Sequence, residues 1–274
     1  MAAEAVSLTG VRETMLGTLY LRALDSRSAD PILGDRMAEE AVGRIAYDFG
    51  RLRIGGDYAS AIATRARPLD EWTRAFLAEH SDATVLHLGC GLDSRVFRVD
   101  PPPGVRWFDV DYPDVVELRR RVYPERPGTR TIGSSLTDPR WLDEVPAGGP
   151  ALVVAEGVLP YLPGAEVEAL LRRITTRFGG GVLALDGVSR LAVRLQRLNT
   201  VVRRTGATLR WGLDDPRALE RRVRGLRLIA ERGIDRMYDP RVLARLSRQF
   251  RLRVRLAGAV PALRRFVWIA RFRF

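Results

Sequence analysis

Residues that usually carry disulfides and metal sites are nearly missing from this chain. Its 274 residues include one cysteine, Cys90, and two histidines, His80 and His87. A single cysteine excludes a disulfide framework, and so few cysteines and histidines leave no cluster with the ligand spacing of a zinc site. We therefore expect no metal. We expect His87, inside a predicted strand, to be a packed core residue.

Long apolar runs and targeting signals are also missing. No apolar run approaches the ~20 residues that a membrane-spanning helix needs. The first residues, Met-Ala-Ala-Glu-Ala-Val-Ser, have neither the basic flank nor the apolar core of a signal peptide. The contents of hydrophobic residues, 46%, and charged residues, 28%, are ordinary for a globular protein. We therefore expect a cytoplasmic protein without a membrane partner.

Lysine is the third absence, since all 45 basic residues are arginine, and the formal net charge is +12. The charge is uneven, because residues 186–274 hold 23 Arg against 7 Asp or Glu. Such a basic C-terminal third suits an anionic substrate, an acidic carrier protein or nucleic acid. No interleaved aromatics or known RNA-binding motif accompany it. Nucleic acid is therefore the least favoured partner, and a solvated basic face is the simplest interpretation.

The most informative stretch is a strand followed by a glycine turn. Thr84–Leu88 is a short apolar strand, and Gly89 and Gly91 follow it directly. A second predicted strand, over 105–110, ends at Asp111, 22 positions after the first glycine. In nucleoside-binding α/β proteins, glycines let the ligand approach the backbone, and a carboxylate at the next strand's tip binds the ribose hydroxyls. This pattern predicts a nucleoside site.

The composition of the loop separates this site from a dinucleotide site. A dinucleotide loop needs a third glycine for close helix packing, and that position is Ser94 here. Asp93 adds a negative charge where a pyrophosphate would lie. An acidic loop suits a cationic nucleoside, which favours S-adenosylmethionine, with its sulfonium in place of phosphates. The alternative is that Gly89 and Gly91 form an ordinary strand-to-helix turn.

Strands and helices alternate from residue 68 onward, which predicts an α/β protein with a doubly wound, mostly parallel sheet. Five parallel strands are predicted from apolar runs, at 84–88, 105–110, near 131–132, 151–155 and 182–185. Helices are predicted from Pro68, from Pro113 and over 165–178. Two further strands, 252–256 and 266–274, predict an antiparallel pair at the sheet edge, for seven strands in all.

The predicted elements divide the chain into a cap and a core. Residues 1–66 are expected to be an N-terminal helical cap, which is free to fold over the crevice at the carboxyl ends of the strands. Residues 67–274 are expected to form the core. Within the core, about 190–249 is expected to be a mostly helical, arginine-rich insertion.

Five stretches match a known family in order and spacing. They are Ala66-Arg-Pro-Leu-Asp70, Leu88-Gly-Cys-Gly-Leu-Asp-Ser-Arg95, Trp107-Phe-Asp-Val-Asp-Tyr-Pro113, Ala155-Glu-Gly-Val-Leu-Pro-Tyr-Leu162 and Arg210-Trp-Gly-Leu-Asp-Asp-Pro216. From about residue 14 to about 220 the chain resembles the leucine carboxyl methyltransferase family of class I S-adenosylmethionine-dependent methyltransferases, in its bacterial, tetracenomycin-pathway-like O-methyltransferase branch. The resemblance implies the Rossmann-like class I methyltransferase fold and S-adenosylmethionine as cofactor.

The resemblance also implies roles for the matching positions. It implies that Arg65 pairs with the methionine carboxylate of the cofactor, that Asp111 holds the ribose hydroxyls, and that Glu156 faces the methionine ammonium. The glycine-loop and adenine-side positions that it implies are Gly89, Gly91, Asp93, Ser135 and Leu136. It supplies no catalytic residue.

The chain departs from the family's pattern at two positions, and two of the implied roles have alternative interpretations. Ser135 stands where family members often carry an acid, so its hydrogen bond to the adenine is expected to be weaker or to come from the backbone. The eukaryotic branch uses a lysine near the N-terminus, for which Arg22 is a candidate substitute. Alternatively, Glu156 pairs structurally with a cap arginine, and Arg65 is a surface charge.

The expected reaction is the formation of a methyl ester on a carboxylate of a small, polyketide-like secondary metabolite. A carboxylate is ionised at neutral pH and needs no general base, whereas a phenol, with a pKa of about 10, benefits from one. No histidine is placed convincingly for that role. The alternatives are a phenolic hydroxyl O-methyltransferase, an RNA-binding or RNA-methylating protein, and a cofactor-binding protein without transfer activity. The sequence predicts neither the acceptor's identity nor the oligomeric state.

Overall fold

A seven-stranded sheet forms the centre of the protein, whose computed structural model describes residues 4–5, 11–52, 54–198 and 206–274. Its strands are β1 (Thr84–Leu88), β2 (Arg106–Asp111), β3 (Thr129–Gly133), β4 (Ala151–Ala155), β5 (Gly181–Val188), β6 (Arg227–Arg232) and β7 (Val267–Arg273). Their spatial order is β3-β2-β1-β4-β5-β7-β6. The first five pair in parallel, and β7 pairs antiparallel with both β5 and β6. The predicted doubly wound, mostly parallel sheet with an antiparallel edge is confirmed.

One strand of that edge was predicted at the wrong place. Residues 252–256 lie inside a helix, Arg248–Ala259, and the edge partner of β7 is β6 instead. Two observations explain the error. Ser247 caps the helix by accepting a hydrogen bond from the Phe250 backbone N–H at 3.2 Å, and the leucines of the alternating run are exposed rather than packed on a sheet. The predicted helical insertion over 190–249 consequently also contains a strand.

Helices flank the sheet. In chain order they are α1 (Val11–Ser26), α2 (Arg36–Arg44), α3 (Gly56–Glu79), α4 (Arg95–Val99), α5 (Pro113–Val122), α6 (Gly164–Arg177), α7 (Arg190–Arg194), α8 (Ala218–Arg222), α9 (Ile234–Met237), α10 (Pro240–Arg245), α11 (Arg248–Ala259) and α12 (Pro261–Arg264). Short 3₁₀ helices span Phe49–Leu52, Pro139–Glu144, Leu159–Tyr161 and Gln196–Leu198. Glu4–Ala5 pairs in parallel with Ile45–Ala46. None of the described helices is long and apolar enough to cross a membrane.

Strand β4 is covered by helices on both faces of the sheet, so its side chains are buried whichever way they point. All five of its residues are buried. Leu152 and Val154 pack in the apolar cluster that contains Phe76 of α3, whereas Val153 packs in the cluster that contains Leu170 of α6. A continuous apolar run is therefore required here, as in parallel strands covered by helices on both sides.

The first helices pack over the glycine loop. Leu16 and Leu19 of α1 share an apolar cluster with Ala38 of α2 and with Leu92, which lies just after the loop. Helix α3 begins at Gly56, not at the predicted Pro68, and continues through that proline because the residues around it are buried at helical spacing. The division into a cap over 1–66 and a core over 67–274 stays a prediction, and α3 crosses that boundary.

Candidate functional site

A cleft opens where β1, β2 and β4 end, with α1 against its other side. It brings together six of the eight predicted cofactor residues, and α1 contributes Arg22 to the lining. The six are Arg65, Gly89, Gly91, Asp93, Asp111 and Glu156. Ser135 and Leu136 follow β3 and are not brought to the cleft lining: Ser135 bonds Thr137, and Leu136 packs in the core. The neighbouring Ser134 backbone N–H reaches the Asp111 carbonyl oxygen at 2.8 Å.

The loop after β1 depends on glycine at its first position. Gly89 has φ +59°, a left-handed conformation, and its backbone N–H donates to the Val110 carbonyl oxygen of β2 at 2.8 Å. A Cβ added to Gly89 would lie 2.4 Å from the Val158 Cγ2 atom. Gly91 also has positive φ, +48°. The loop therefore keeps its course close to β2 and β4 only if these positions carry no side chain.

Asp111 joins the tip of β2 to the glycine loop. Its Oδ2 atom accepts the Gly91 backbone N–H at 2.7 Å, and its Oδ1 atom accepts the Tyr112 backbone N–H at 2.7 Å. Burial raises the pKa of Asp111, while these two hydrogen bonds act in the opposite direction. A carboxylate has about four lone-pair sites, so two stay available to hydroxyl groups in the cleft.

Glu156, at the end of β4, is surrounded by three guanidinium groups. Its carboxylate lies 3.3 Å from Arg22, 3.1 Å from Arg65 and 2.5 Å from Arg95. Burial alone would raise the pKa of Glu156, but the attraction of these arginines prevails and lowers it to about 2. Glu156 therefore borders the cleft and also pairs with Arg22 of the first helix, as the alternative interpretation held.

Arg65 links the cleft to the end of β5. Besides Glu156, it contacts Asp186 at 3.2 Å, and the Asp186 Oδ1 atom accepts the Gly157 backbone N–H at 2.7 Å. The side chain of Arg65 is 20% exposed, so it is not a surface charge. Its position leaves the guanidinium at the cleft wall, between two carboxylates.

Two arginines of α4, the buried Arg95 and the partly buried Arg98, pair with the acidic groups beside the loop. Neither was predicted from the sequence as a site residue. Arg95 contacts Asp70 at 2.6 Å and Asp93 at 3.4 Å, and Arg98 contacts Asp70 and Asp93, both at 2.9 Å. Arg98 also reaches Asp35, the N-cap of α2, at 2.6 Å. Asp70 and Arg95 lie in the family-matching stretches, but arginine is rarely buried, so no local pattern indicated this network.

A second network of polar side chains also supports the glycine loop. His87 is 2% exposed, with Nδ1 2.9 Å from Asp109 and Nε2 3.6 Å from Asp93. Arg119 pairs with Asp109 at 2.8 Å and donates to the carbonyl oxygens of Gly91 at 3.2 Å and Asp93 at 2.6 Å. His87 is thus buried as predicted, and it also borders the cleft.

Comparison with known proteins identifies the family. The model that describes leucine carboxyl methyltransferase matches residues 15–175. The chain belongs to the leucine carboxyl methyltransferase family. It is an S-adenosylmethionine-dependent O-methyltransferase, as the resemblance implied.

Two relatives and one solved structure illustrate the similarity of this methyltransferase to known proteins. Tetracenomycin polyketide synthesis O-methyltransferase TcmP of Streptomyces glaucescens is 53% identical over 224 residues, which cover 82% of this chain and 83% of that protein. S-adenosyl-L-methionine-dependent methyltransferase dpfgK of Gibberella zeae is 38% identical over 243 residues, 81% and 82% of the two chains. The crystal structure of a DUF574 family protein from Streptomyces avermitilis shares the fold, with a TM-score of 0.59, 13% identity, and coverage of 93% and 96%.

The cleft of this methyltransferase is lined by groups whose chemistry suits S-adenosylmethionine. Asp111 lines the cleft and, after its two backbone hydrogen bonds, keeps acceptor capacity for hydroxyl groups. Asp93 and Glu156 supply negative charge for a ligand that carries an ammonium and a sulfonium. The buried Nε of Arg22 has no hydrogen-bond partner among the described residues, which leaves one donor at the cleft for an anionic group.

Substituting the first loop glycine should damage both folding and cofactor binding. We expect Gly89→Ala to lower the free energy of unfolding by about 1–3 kcal/mol, because its left-handed φ disfavours a side chain and its Cβ would collide with Val158. Affinity for S-adenosylhomocysteine should fall at the same time. Urea unfolding and calorimetry measure the two effects.

A matched control separates the collision from the backbone strain. Gly148 also has positive φ, +94°, but a Cβ there would meet nothing within 4 Å, so Gly148→Ala should retain full cofactor affinity. The double variant Gly89→Ala, Val158→Ala should recover part of the lost stability. Equal effects of the two single substitutions would show that the close packing of the loop is unimportant.

Proposed function

We propose that this methyltransferase forms a methyl ester on a carboxylate of a small, polyketide-type molecule. The observation that carries the proposal is that each candidate general base of the described cleft lining already has a charged or backbone partner. Both ring nitrogens of His87 face carboxylates. Asp93 and Glu156 are held by arginines, and Asp111 by backbone N–H groups. A phenol would need one of these groups as a base, whereas a carboxylate needs none.

Two tyrosines near Arg65 support the same conclusion. Burial raises the pKa of Tyr238 to about 12 and also raises the pKa of Tyr161, in each case against the attraction of Arg65. Both phenols therefore keep their protons at neutral pH. A protonated phenol is not a general base, so neither tyrosine supplies the base that a hydroxyl acceptor benefits from.

The polyketide setting rests on similarity to the Streptomyces glaucescens protein, whose name assigns it to tetracenomycin polyketide synthesis. The basic C-terminal third, with 23 Arg against 7 Asp or Glu in residues 186–274, is compatible with an acidic product of such a pathway. The proposed acceptor is accordingly an aromatic polyketide acid.

The residues of this chain act by binding and aligning. S-adenosylmethionine supplies an electrophilic methyl group on its sulfonium sulfur. Asp111 would hold the ribose hydroxyls, Asp93 and Glu156 would balance the positive charges, and Arg65 would exchange a carboxylate of the protein for the methionine carboxylate. Helix α1 would form one wall of the bound cofactor's site through the residues it contributes to the lining. Alignment of two reactants in this way can supply about 7–11 kcal/mol of the barrier reduction.

The acceptor class can be tested with paired substrates. Polycyclic aromatic acids are offered with radiolabelled methyl donor beside phenols of the same ring system that lack the carboxyl group. We expect label in the acids only, and we expect mild alkali to release it as methanol, because esters hydrolyse and aryl ethers do not. The rate should be flat between about pH 6 and pH 9, since an acid with a pKa near 4 is fully ionised there.

Labelling that resists alkali, with a rate that rises toward the pKa of a phenol at about 10, would instead establish hydroxyl methylation. In that case His87 would not stay paired with Asp93 and Asp109 in the reacting enzyme. The variant Arg140→Met, which alters an exposed ion pair with Asp138, is the control for nonspecific effects of substitution and should leave both profiles unchanged.

A further inference from the structure

Helix α11 presents an exposed apolar row to solvent. Leu252 and Leu256 are 57% and 55% exposed, and Val260, just beyond the end of the helix, is 43% exposed. The two leucines lie four residues apart and so share one side of the helix. No residue of α11 is buried. Such a row on a well-packed α/β protein indicates a contact surface rather than a core.

Arginines frame this row without any neutralising acid. Helix α11 contains Arg248, Arg251, Arg253 and Arg255, and no Asp or Glu occurs anywhere in residues 240–274. Within the described part of the chain, none of these four arginines forms an ion pair, whereas Arg265 pairs with Glu231 at 2.7 Å. We refer to the three apolar side chains and the four arginines together as the α11 face. The four arginines therefore give this face a positive charge, while Asp57, an acid of a neighbouring element, is bound to Ser247 at the start of the helix.

The opposite side of the helix fixes the orientation of the α11 face. The ring of Phe250 packs edge-on against Tyr58 of α3, with centroids 6.0 Å apart. Ser247 donates from its backbone N–H and its hydroxyl to the Asp57 carboxylate, at 2.8 and 2.6 Å. Both contacts are made to the start of α3, the helix that also carries Arg65. These contacts hold the α11 face outward and attach α11 to α3, the helix that contributes Arg65 to the cleft.

We propose that the α11 face is the docking site for an acidic protein that presents an amphipathic helix, of the kind found in carrier proteins. Such a helix would place its apolar row on Leu252 and Leu256 and its flanking carboxylates on the arginines, which is the helix-on-helix mode of recognition with complementary charge. The proposal concerns binding alone and does not depend on which acceptor is methylated.

Other occupants match the face less well. A second copy of this chain would bring arginines against arginines, since a twofold contact pairs a surface with itself. Single-stranded nucleic acid is bound by aromatic platforms, and the one aromatic residue of α11, Phe250, packs against Tyr58. A membrane surface requires a broad apolar face with aromatic or leucine anchors, but α11 offers two leucines.

The size of the face sets the kind of association. A stable interface covers about 800 Å² on each partner, and a row of three apolar side chains is far smaller. Electrostatic attraction must therefore supply much of the affinity, so the complex is transient and weakens as salt rises.

The test uses the full-length enzyme, without cofactor or acceptor, and a fluorescently labelled, purified bacterial acyl carrier protein as the probe. We expect saturable binding by anisotropy, weakened about tenfold when NaCl is raised from about 50 to about 300 mM. Each of the four single variants Leu252→Ser, Leu256→Ser, Arg253→Glu and Arg255→Glu should weaken binding about tenfold or more. The control Arg224→Glu, an equal charge change at an exposed position outside the helix, should stay within about twofold.

Affinity for S-adenosylhomocysteine, measured on every variant, reports whether the fold is intact. Absence of saturable carrier binding, or an equal loss in the Arg224→Glu control, would overturn the proposal. Tighter binding of the enzyme to anionic phosphatidylglycerol vesicles or to a single-stranded RNA oligomer than to the carrier protein would overturn it as well, in favour of that ligand.

Discussion

The variant Arg95→Met should lose about 3–5 kcal/mol of unfolding free energy, because it removes one partner from a buried ionic network. Arg95 is fully buried and contacts Asp70 at 2.6 Å, Glu156 at 2.5 Å and Asp93 at 3.4 Å. Methionine replaces the volume but leaves three buried carboxylates with one cation fewer. This is a large share of the ~5–15 kcal/mol that stabilises a typical domain.

The pH dependence of unfolding distinguishes an electrostatic loss from a packing loss. In the wild-type protein the pKa of Glu156 is lowered from 4.5 to about 2 by its arginines, against the opposing effect of burial. The stability that this shift contributes is fully present above pH 4.5 and disappears as the pH falls toward 2. Without Arg95 the pKa of Glu156 rises, so the acid-induced loss should begin at higher pH.

Urea unfolding at several pH values measures both effects. Arg95→Lys, which keeps the charge but not the planar fork, should lose less stability than Arg95→Met. Arg140→Met, at an exposed ion pair, should show no measurable change. A stability of Arg95→Met equal to that of the wild type would mean that the network around Glu156 does not stabilise the fold.

Features of the fold that depend on local chemistry could be predicted from the sequence. The apolar run Ala151–Ala155 predicted a central strand because a parallel strand covered on both faces must be continuously apolar. The pair Gly89 and Gly91 and the acid at 111 predicted the loop and the strand tip, and a direct hydrogen bond of 2.7 Å joins Gly91 and Asp111. These signals are short-range, and each follows from one physical requirement.

Features that depend on tertiary burial could not be predicted. The run Leu-Arg-Val-Arg-Leu over 252–256 alternates like a strand, yet it is part of α11 because no sheet face covers its leucines. Arg95 and Glu156 are 61 residues apart in sequence, so nothing local indicates that they meet. Ser135 and Leu136 follow the adjacent strand but do not line the cleft, and their proposed adenine contact stays a prediction.

The substitution Asp111→Ala should reduce cofactor affinity about 100-fold or more. Each hydrogen bond to a charged group contributes about 1.5–3 kcal/mol, and Asp111 would make such bonds to the ribose hydroxyls. The same carboxylate holds the backbone N–H groups of Gly91 and Tyr112 at 2.7 Å. Its removal therefore loosens the glycine loop in addition to deleting the ligand contact.

Titration calorimetry with S-adenosylhomocysteine tests the central claim, that this cleft binds the methyl donor through the strand-tip carboxylate. The wild-type protein and the control Asp143→Ala, which alters an exposed acid of the 3₁₀ helix Pro139–Glu144, should bind equally tightly. Asp111→Ala should bind about 100-fold more weakly or not at all. Undiminished affinity in Asp111→Ala would contradict the assignment of the site.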